Sequence, residues 1–572
     1  MEYTRRQTLG ATAGILALLS YENTTEILEH GMLPPQSTVV TSRTELERAF
    51  ADLSPGETVW ISPKNAPYRT TEWLDIDVSG VTVLGPGLPT LIKPADGANV
   101  GGIRIGHNSS CRNVRVEGVG YHGNPKNQDD GAKKLHGIIV RDVDDVTLRG
   151  NTVAHTHPFG EHGSGGSGIS AGRASKNVRI LDNRIHHFGD RGIQLGGQNT
   201  VVSGNVVTDG IDRTIACDLW TPDGENDVAN TVIISENILG NCREGSLTGV
   251  ASGPEGVATG SSHIIVSNNI GFGFHKSFCH VRGPTNITNV SIRGNVSTQV
   301  TEGLWTNKTE KFAGIAVDPS GATNITIGDN ELSGYSRHGI NVLGDISNLK
   351  IAGNIVLDAG EAGIRVQNAS DGTIVDNTIE RTGDHGILLK DTTSFAVTNN
   401  HLRDLALSGI ALHNSGEAHH IVGSNHIRQP NENRENAVAS IHVDSSAVVV
   451  QGNTITQATD VPSISDSAAA ESNIYRGNHG SEGARWAIGS PSSVVRDNVP
   501  PFDSHSGVRA SNNRAEIRFE KAYDEPPKLT FARRGGGIRN VEYRERNGAF
   551  VGASIETAAA DGVVDVAVDS FG

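Results

Sequence analysis

The chain carries little sulfur: four cysteines and two methionines among 572 residues. Four thiols are too few for a disulfide-dependent scaffold. Cys217 with Cys242, or Cys242 with Cys279, could bridge neighbouring repeats, and buried thiols fit the sequence equally well. Aromatic residues are also scarce, at 5%, which leaves Val, Ile and Leu to build the core. Basic residues are outnumbered, 48 Lys plus Arg against 64 acids, for a formal net charge of -16. Such a surface repels a phosphate backbone, so no nucleic-acid partner is expected. The same acidic excess keeps a protein hydrated in strong salt and hints at a halophilic source. Beyond the N-terminus nothing approaches the roughly 18 to 20 apolar residues of a membrane span, so no stable span is expected. Regular amphipathic stretches of about 10 to 15 residues are missing as well, which argues against alternating βα units.

What the chain does contain is glycine, 69 residues, and one phrase that keeps returning. A short β-rich run, two residues that are often Gly, Asp or Ser, then Asn and an apolar residue recur at Asn151, Asn183, Asn205, Asn237, Asn269 and Asn295. The phrase continues at Asn330, Asn354, Asn377, Asn400, Asn425, Asn453, Asn478 and Asn498. Between these stands a second phrase, Gly-Ile, as at Gly137-Ile138, Gly168-Ile169, Gly192-Ile193, Gly339-Ile340, Gly363-Ile364, Gly386-Ile387 and Gly409-Ile410. A solenoid accounts for both. Each coil lays short strands on parallel sheets, inward Val and Ile stack on their equivalents one coil away, and glycines allow tight corners. Asn tolerates a bend, and its amide can bond to the next coil's Asn as a ladder.

The spacing between ladder asparagines runs 32, 22, 32, 32, 26 and 35 residues to Asn330, then 24, 23, 23, 25, 28, 25 and 20. A minimal coil therefore takes about 22 to 25 residues, and the excess in the first half leaves as loops, where solenoids usually bind. The expected fold is all-β: a single-stranded right-handed parallel β-helix of about 15 coils, some 70 Å long at the ~4.8 Å strand separation. Residues 101–510 form it. Residues 44–100 read as an N-terminal cap, with a short helix over Thr44–Phe50 and strands around Val59 and Val83. Residues 511–572 alternate in strand fashion and read as a small C-terminal β module. Residues 1–43 are a leader: Thr4-Arg5-Arg6-Gln7-Thr8-Leu9, followed by the small apolar run Gly10–Ser20, resembles a twin-arginine export signal and implies an extracellular protein.

The coil phrases resemble the pectate-lyase-like superfamily of right-handed β-helices, which holds polysaccharide lyases, glycoside hydrolases, uronate epimerases and viral tailspikes. The resemblance covers about residues 44–510 and implies a polysaccharide partner. The tail, Phe519–Leu529 and Val566–Phe571, resembles a small lectin-like β-sandwich of agglutinins and viral fibres, which implies sugar binding and a homotrimer through this module.

Charged residues gather just before the Gly-Ile phrases: Asp190-Arg191, Arg337-His338, Glu361-Ala362 and Asp384-His385, with Arg365 and Lys390 on the strands that follow. The loop coils add Asp218, Trp220, Glu244, Lys276, His280, Arg282 and Trp305, and a first loop holds His155, His157, Glu161 and His162, a candidate transition-metal set. Aromatic faces beside charges suit a sugar polymer. Three uses stay open. For β-elimination of a uronate polymer, Lys276 is the leading base, with His280 and Arg337 completing the catalytic set. Arg191, Trp220, Arg282, Trp305 and His338 then bind substrate, and Asp190, Asp218 and Glu244 are oxygen ligands suited to Ca²⁺. Hydrolysis would use paired carboxylates, Asp190 with Asp218 or Asp384 with Glu361. Against it, Gly383-Asp384-His385-Gly386 only partly resembles the polygalacturonase Gly-His-Gly, and Asp318-Pro319-Ser320-Gly321 departs from the epimerase Asp-Pro-His-Asp at its histidine. The third use is binding without catalysis, as in an adhesin or tailspike.

Overall fold

The structure is a computed structural model. It describes residues 37–129, 135–156, 166–172, 174–210, 213–217, 219–220, 226–227, 230–242, 262–274, 277–281, 287–299, 313–319, 321–430, 439–456, 461–481, 484–490, 492–499, 503–523, 526–533, 538–558 and 563–569. Most of the expected leader therefore lies outside the described residues. By internal packing the chain divides into two compact units, Met1–Ala322 and Thr323–Gly572.

The N-terminal unit begins with strand Thr38–Val40 and helix α1, Arg43–Ala51, close to the expected helix. The Ser42 hydroxyl accepts from the Glu45 amide at 3.3 Å, and the Glu45 carboxylate accepts from the Thr41 amide at 2.8 Å. The first bond satisfies an amide that the first turn leaves without an intrahelical partner, and the second ties down the residue before the cap. Leu46, Ala49 and Phe50 form the buried stripe of α1.

Each further turn of chain then lays down three short strands. Cys111–Glu117, Gly120–His122 and Ile138–Arg141 are followed by Val143–Arg149, Thr152–Ala154 and Ile169–Gly172, each paired in parallel with its equivalent one turn earlier. The register places Val114, Val146 and Val178 in one stack and Val116, Leu148 and Ile180 in another, all fully buried. Period-two alternation sends these side chains inward, and each fully buried one is worth about 1.5–3 kcal/mol. This is a parallel β-helix, and the C-terminal unit repeats it. There Ile340, Ile364, Ile387, Ile410, Ile441, Ile464 and Trp486 share one register position in successive coils.

The asparagine ladder forms in both units, with one correction to its logic. Asn183 donates its backbone amide to Asn205 Oδ1 at 2.9 Å, its Nδ2 to the same oxygen at 2.9 Å, and its Nδ2 again to the Leu148 carbonyl at 2.9 Å. The same pattern joins Asn354 to Asn377, Asn377 to Asn400 and Asn400 to Asn425. The bend, however, belongs to the residue before the asparagine. Gly150, Asp182, Gly204, Glu236, Asp329, Gly353, Asp376, Asn399 and Ser424 all have φ between 54° and 71°. That left-handed position explains why Gly, Asp, Asn and Ser prevail there. The Asn supplies the amide that spans the gap.

The glycine of the Gly-Ile phrase also serves differently from expectation. Gly363 is not left-handed; a Cβ there would sit 2.3 Å from Ile379 Cγ2 and 2.9 Å from the Gly386 carbonyl. Close packing excludes a side chain, and no turn requires the glycine.

Beyond the last coils of the C-terminal unit, strands become antiparallel. Asp503–Arg509, Val563–Asp569 and Lys528–Arg533 make one three-stranded sheet; Arg514–Tyr523, Ala549–Thr557 and Ile538–Arg546 make the other. Where the coil stack ends, Asp466 occupies an inward position and accepts from the Ser490 amide, the Ser493 hydroxyl and the Tyr475 hydroxyl at 3.1, 2.9 and 3.1 Å. Burial raises its pKa against those bonds. The thiol of Cys111 is buried, which pushes it up to about 11; Cys217 and Cys279 are buried too, and the Cys242 side chain lies outside the description.

Candidate functional site

In the C-terminal unit the inward isoleucines fix what faces out. One residue beyond them, Asn341, Arg365, Leu388, Ala411 and His442 align across neighbouring strands. Two residues further, Leu343, Gln367, Lys390, His413 and Asp444 align. The preceding corners hold Arg337-His338, Glu361-Ala362 and Asp384-His385. The structure thus brings together Arg337, His338, Glu361 and Arg365, as their spacing predicts.

Glu361 is the hub. Arg337 Nε lies 3.2 Å and His338 Nε2 3.3 Å from its Oε2. His338 is only 3% exposed, and its Nδ1 accepts from the Ala362 amide at 3.2 Å. A ring that accepts at Nδ1 carries its proton at Nε2 when neutral, so His338 has no free lone pair to act as a base, and its buried Nε2 makes no hydrogen bond among the described residues although Glu361 is near. Burial pushes its pKa down to about 4, against the pull of Glu361. His385 repeats the arrangement one coil on: Nδ1 accepts from the Ser408 amide at 3.2 Å, and Nε2 stands 3.5 Å from Asp384 Oδ1.

Arg365 donates to Gln367 Oε1 at 2.6 Å, while its buried Nε has no hydrogen-bond partner among the described residues. Burial, then the charge of Arg337, lowers its pKa. His413 lies two coils beyond Gln367 in the same row, its ring centroid 6.1 Å from that of His385 and 5.3 Å from that of His442. Its pKa is lowered chiefly by burial, Asp444 opposing and Lys390 adding. His413 was not among the sequence candidates, although it stands four residues after Gly409 as Lys390 does after Gly386. Carrying the same count one coil further would have found it.

The remaining candidates lie in the N-terminal unit. His280 Nε2 is 2.9 Å from Asp318 Oδ1, which orients the ring. Asp190 and Arg191 pair with each other through Asp190 Oδ1. Of the three expected Ca²⁺ ligands only Asp190 is among the described residues, and no step below is routed through a cation. Trp220 lies in the short strand Leu219–Trp220, paired antiparallel with Asn226–Asp227, and its side chain is outside the description. Lys276, Arg282, Trp305, Asp218 and Glu244 also lie outside the described residues, as do His157, Glu161 and His162.

A second cluster stands at corners of the same unit. His155 and His187 each follow a ladder asparagine by four residues, and both are left-handed, φ 57° and 55°. Their rings stack at 4.5 Å. His122 packs on the other side of His155, also at 4.5 Å, and His186 meets both neighbours at 5.9 and 5.1 Å. Nitrogens of His155, His186 and His187 all lie within 4.8 Å of one another, the one group of three potential metal ligands among the described residues. Such a cluster could coordinate a metal ion. Sequence reasoning had flagged His155 alone of these.

Residues 278–455 match a family model described as a right handed beta helix region, in accord with the observed coils. The match spans less than half of the chain. Sequence comparison with curated proteins gives no match. Among solved structures, the family 28 exopolygalacturonase of Yersinia enterocolitica is similar with 14% identity over 64% of this chain and 77% of that one, TM-score 0.41. An alginate lyase from a Paenibacillus species is similar with 14% identity over 58% and 98%, TM-score 0.36. The tailspike of E. coli bacteriophage HK620, in a double-mutant form bound to a pentasaccharide, gives 12% identity over 94% and 91%, TM-score 0.42. The architecture is a right-handed parallel β-helix, and a fold by itself does not choose a function. No helix among the described residues is long and apolar enough to cross a membrane.

Proposed function

We propose that this chain is an exported enzyme that cleaves a uronate-containing polysaccharide by β-elimination, with the corner row of the C-terminal unit as its substrate site. The observation that carries the reading is the gathering of Arg337 and Arg365 around Glu361, with Lys390 one coil and His413 two coils beyond Gln367 in the same outward row, on a protein whose formal net charge is -16. An acidic protein that takes an acidic polymer needs a local concentration of cations. The two guanidiniums meet the sugar carboxylate and withdraw charge from it, which acidifies the C5 proton. His413 takes that proton, the electron pair forms the C4–C5 double bond, and the C4–O bond breaks as Lys390 protonates the departing oxygen.

Lys276, the base chosen from sequence, remains the competing assignment, and paired variants separate the two. Ultraviolet absorbance of the unsaturated product is followed on a panel of acidic polysaccharides. His413→Gln should abolish the rise and Lys276→Ala should leave it, whereas the reverse would return the base to Lys276. Hydrolysis is the second reading, favoured by one observation: Glu361 and Asp384 occupy equivalent corners one coil apart. That is about 4.8 Å between backbones, close to the carboxylate separation of retaining glycosidases. New reducing ends without ultraviolet absorbance would establish it. Binding with no product of either kind would overturn the enzymatic reading in favour of an adhesin-like or tailspike-like module.

A further inference from the structure

We infer that His155, His186 and His187 form a binding site for a divalent transition-metal ion, Zn²⁺ by preference, that ties two successive coils of the N-terminal unit together at their corner. The argument starts from register. Gly120–His122, Thr152–Ala154 and Arg184–His186 are neighbouring strands in which His122, Ala154 and His186 are partners. The residue after each strand end then falls at one corner position, and in the second and third coils it is His155 and His187. Both are held left-handed, and backbone bonds lock one corner to the next: the His155 amide donates to the His186 carbonyl at 3.2 Å and the Thr156 amide to the His187 carbonyl at 3.2 Å. The imidazoles are therefore gathered by the coil itself.

The donor set decides the ion. Three imidazole nitrogens with no carboxylate among them suit Zn²⁺, Ni²⁺ or Cu²⁺ and are poor ligands for Ca²⁺, which takes oxygen. Tetrahedral Zn–N bonds of about 2.0–2.1 Å set nitrogens about 3.3 Å apart. His186 Nδ1 and His187 Nδ1 stand 2.9 Å apart and the widest separation in the trio is 4.8 Å, so modest ring rotations on either side bring all three to one centre. His187 is exposed and His155 and His186 are half-buried, which leaves an approach for the ion from solvent. His122, whose Nδ1 is occupied by the Asn124 amide at 3.0 Å, packs on His155 and fixes its plane. Asp209, the next residue of the corner row, supplies a nearby carboxylate whose charge favours a cation there.

The test uses the full chain without a polyhistidine tag. Zn²⁺ is titrated against a chromophoric chelator, Co²⁺ is added to read its ligand-field absorption, and Ca²⁺ serves as the control ion. One equivalent of Zn²⁺ is expected, with a Co²⁺ spectrum of low-coordinate nitrogen ligation, a rise of the thermal midpoint with added Zn²⁺, and no response to Ca²⁺. His155→Asn and His187→Asn preserve corner conformations that asparagine tolerates, and each should weaken Zn²⁺ at least about tenfold, the loss produced by disturbing even an outer-shell partner. His401→Asn, in the exposed pair whose rings lie 5.8 Å apart in the C-terminal unit, should not. Zn²⁺ binding that survives both corner variants, or no binding at one equivalent, overturns the assignment.

Discussion

Removing one rung of the asparagine ladder tests the account of what holds the coils in register. Asn400 is fully buried; its Oδ1 accepts from the Asn377 amide at 3.0 Å and from Asn377 Nδ2 at 2.9 Å. Its Nδ2 donates to the Ile374 carbonyl at 2.9 Å and to Asn425 Oδ1 at 2.9 Å. Asn400→Ala leaves the Asn377 amide buried without that acceptor and deletes four further bonds, the Nδ2 donation to the Thr398 carbonyl at 3.0 Å among them. A stranded buried group costs about 1–3 kcal/mol and each lost bond about 1, partly recovered where Asn377 Nδ2 keeps the Ile351 and Val375 carbonyls. The sum is about 3–5 kcal/mol, or roughly 6–20 °C of midpoint for a unit of this size. Asn348→Gly is the comparison, because Asn348 donates to Asn324 Oδ1 at an exposed, left-handed position that glycine accepts, and it should cost about 0.5 kcal/mol or less. Urea denaturation followed by far-ultraviolet circular dichroism measures both, and amide exchange at Asn377 reads the rung itself. If Asn400→Ala is no more destabilising than Asn348→Gly, and the Asn377 amide stays protected, the ladder is ornamental and the aliphatic stacks alone carry register.

Gly363→Ala places a methyl 2.3 Å from Ile379 Cγ2 and should cost about 1–3 kcal/mol by overpacking; a neutral result in thermal denaturation would show that this corner yields. Burial, then the charge of His419, pushes buried His420 down to about 4 from the ordinary 6.5, so the folded unit binds fewer protons than the unfolded chain between those values. Its contribution is present in full above pH 6.5 and is lost as pH falls toward 4, up to about 3 kcal/mol, with buried Asp466 working in the opposite direction. Denaturation midpoints that rise on acidification across this window would contradict it. Arg337→Ala should lower kcat for a uronate polymer about tenfold or more, with a smaller rise in KM, because the guanidinium contact strengthens as charge develops on the carboxylate; initial rates against polymer concentration measure the split.

Much of the fold was legible in the chain because a solenoid repeats its requirements. Every coil needs a left-handed residue followed by an amide-bearing one, and an inward aliphatic two residues apart from the next, so Asn151 to Asn498 could be read as a series before any coordinates. The corner charges were legible for the same reason: Arg337, Glu361 and Asp384 recur at one count before glycine, and Lys390 at another after it. His413 and His187 obey the same counts and were passed over, since a histidine in one coil has no meaning until its neighbour across the strand pairing is known.

What the sequence by itself determined is the period, and with it which residues point inward and which share a corner. Only the tertiary structure decided the state of those groups. The choice of tautomer in His338 depends on an amide from the following coil, residues away in the chain but one strand away in space. The pairing of Asp190 with Arg191 and the convergence of His155 with His186 and His187 likewise depend on side-chain torsions and distances of a few ångströms. A repeat fixes backbone position to within a coil, whereas chemistry is set by contacts far shorter than a coil, and those arise only when the strands are stacked.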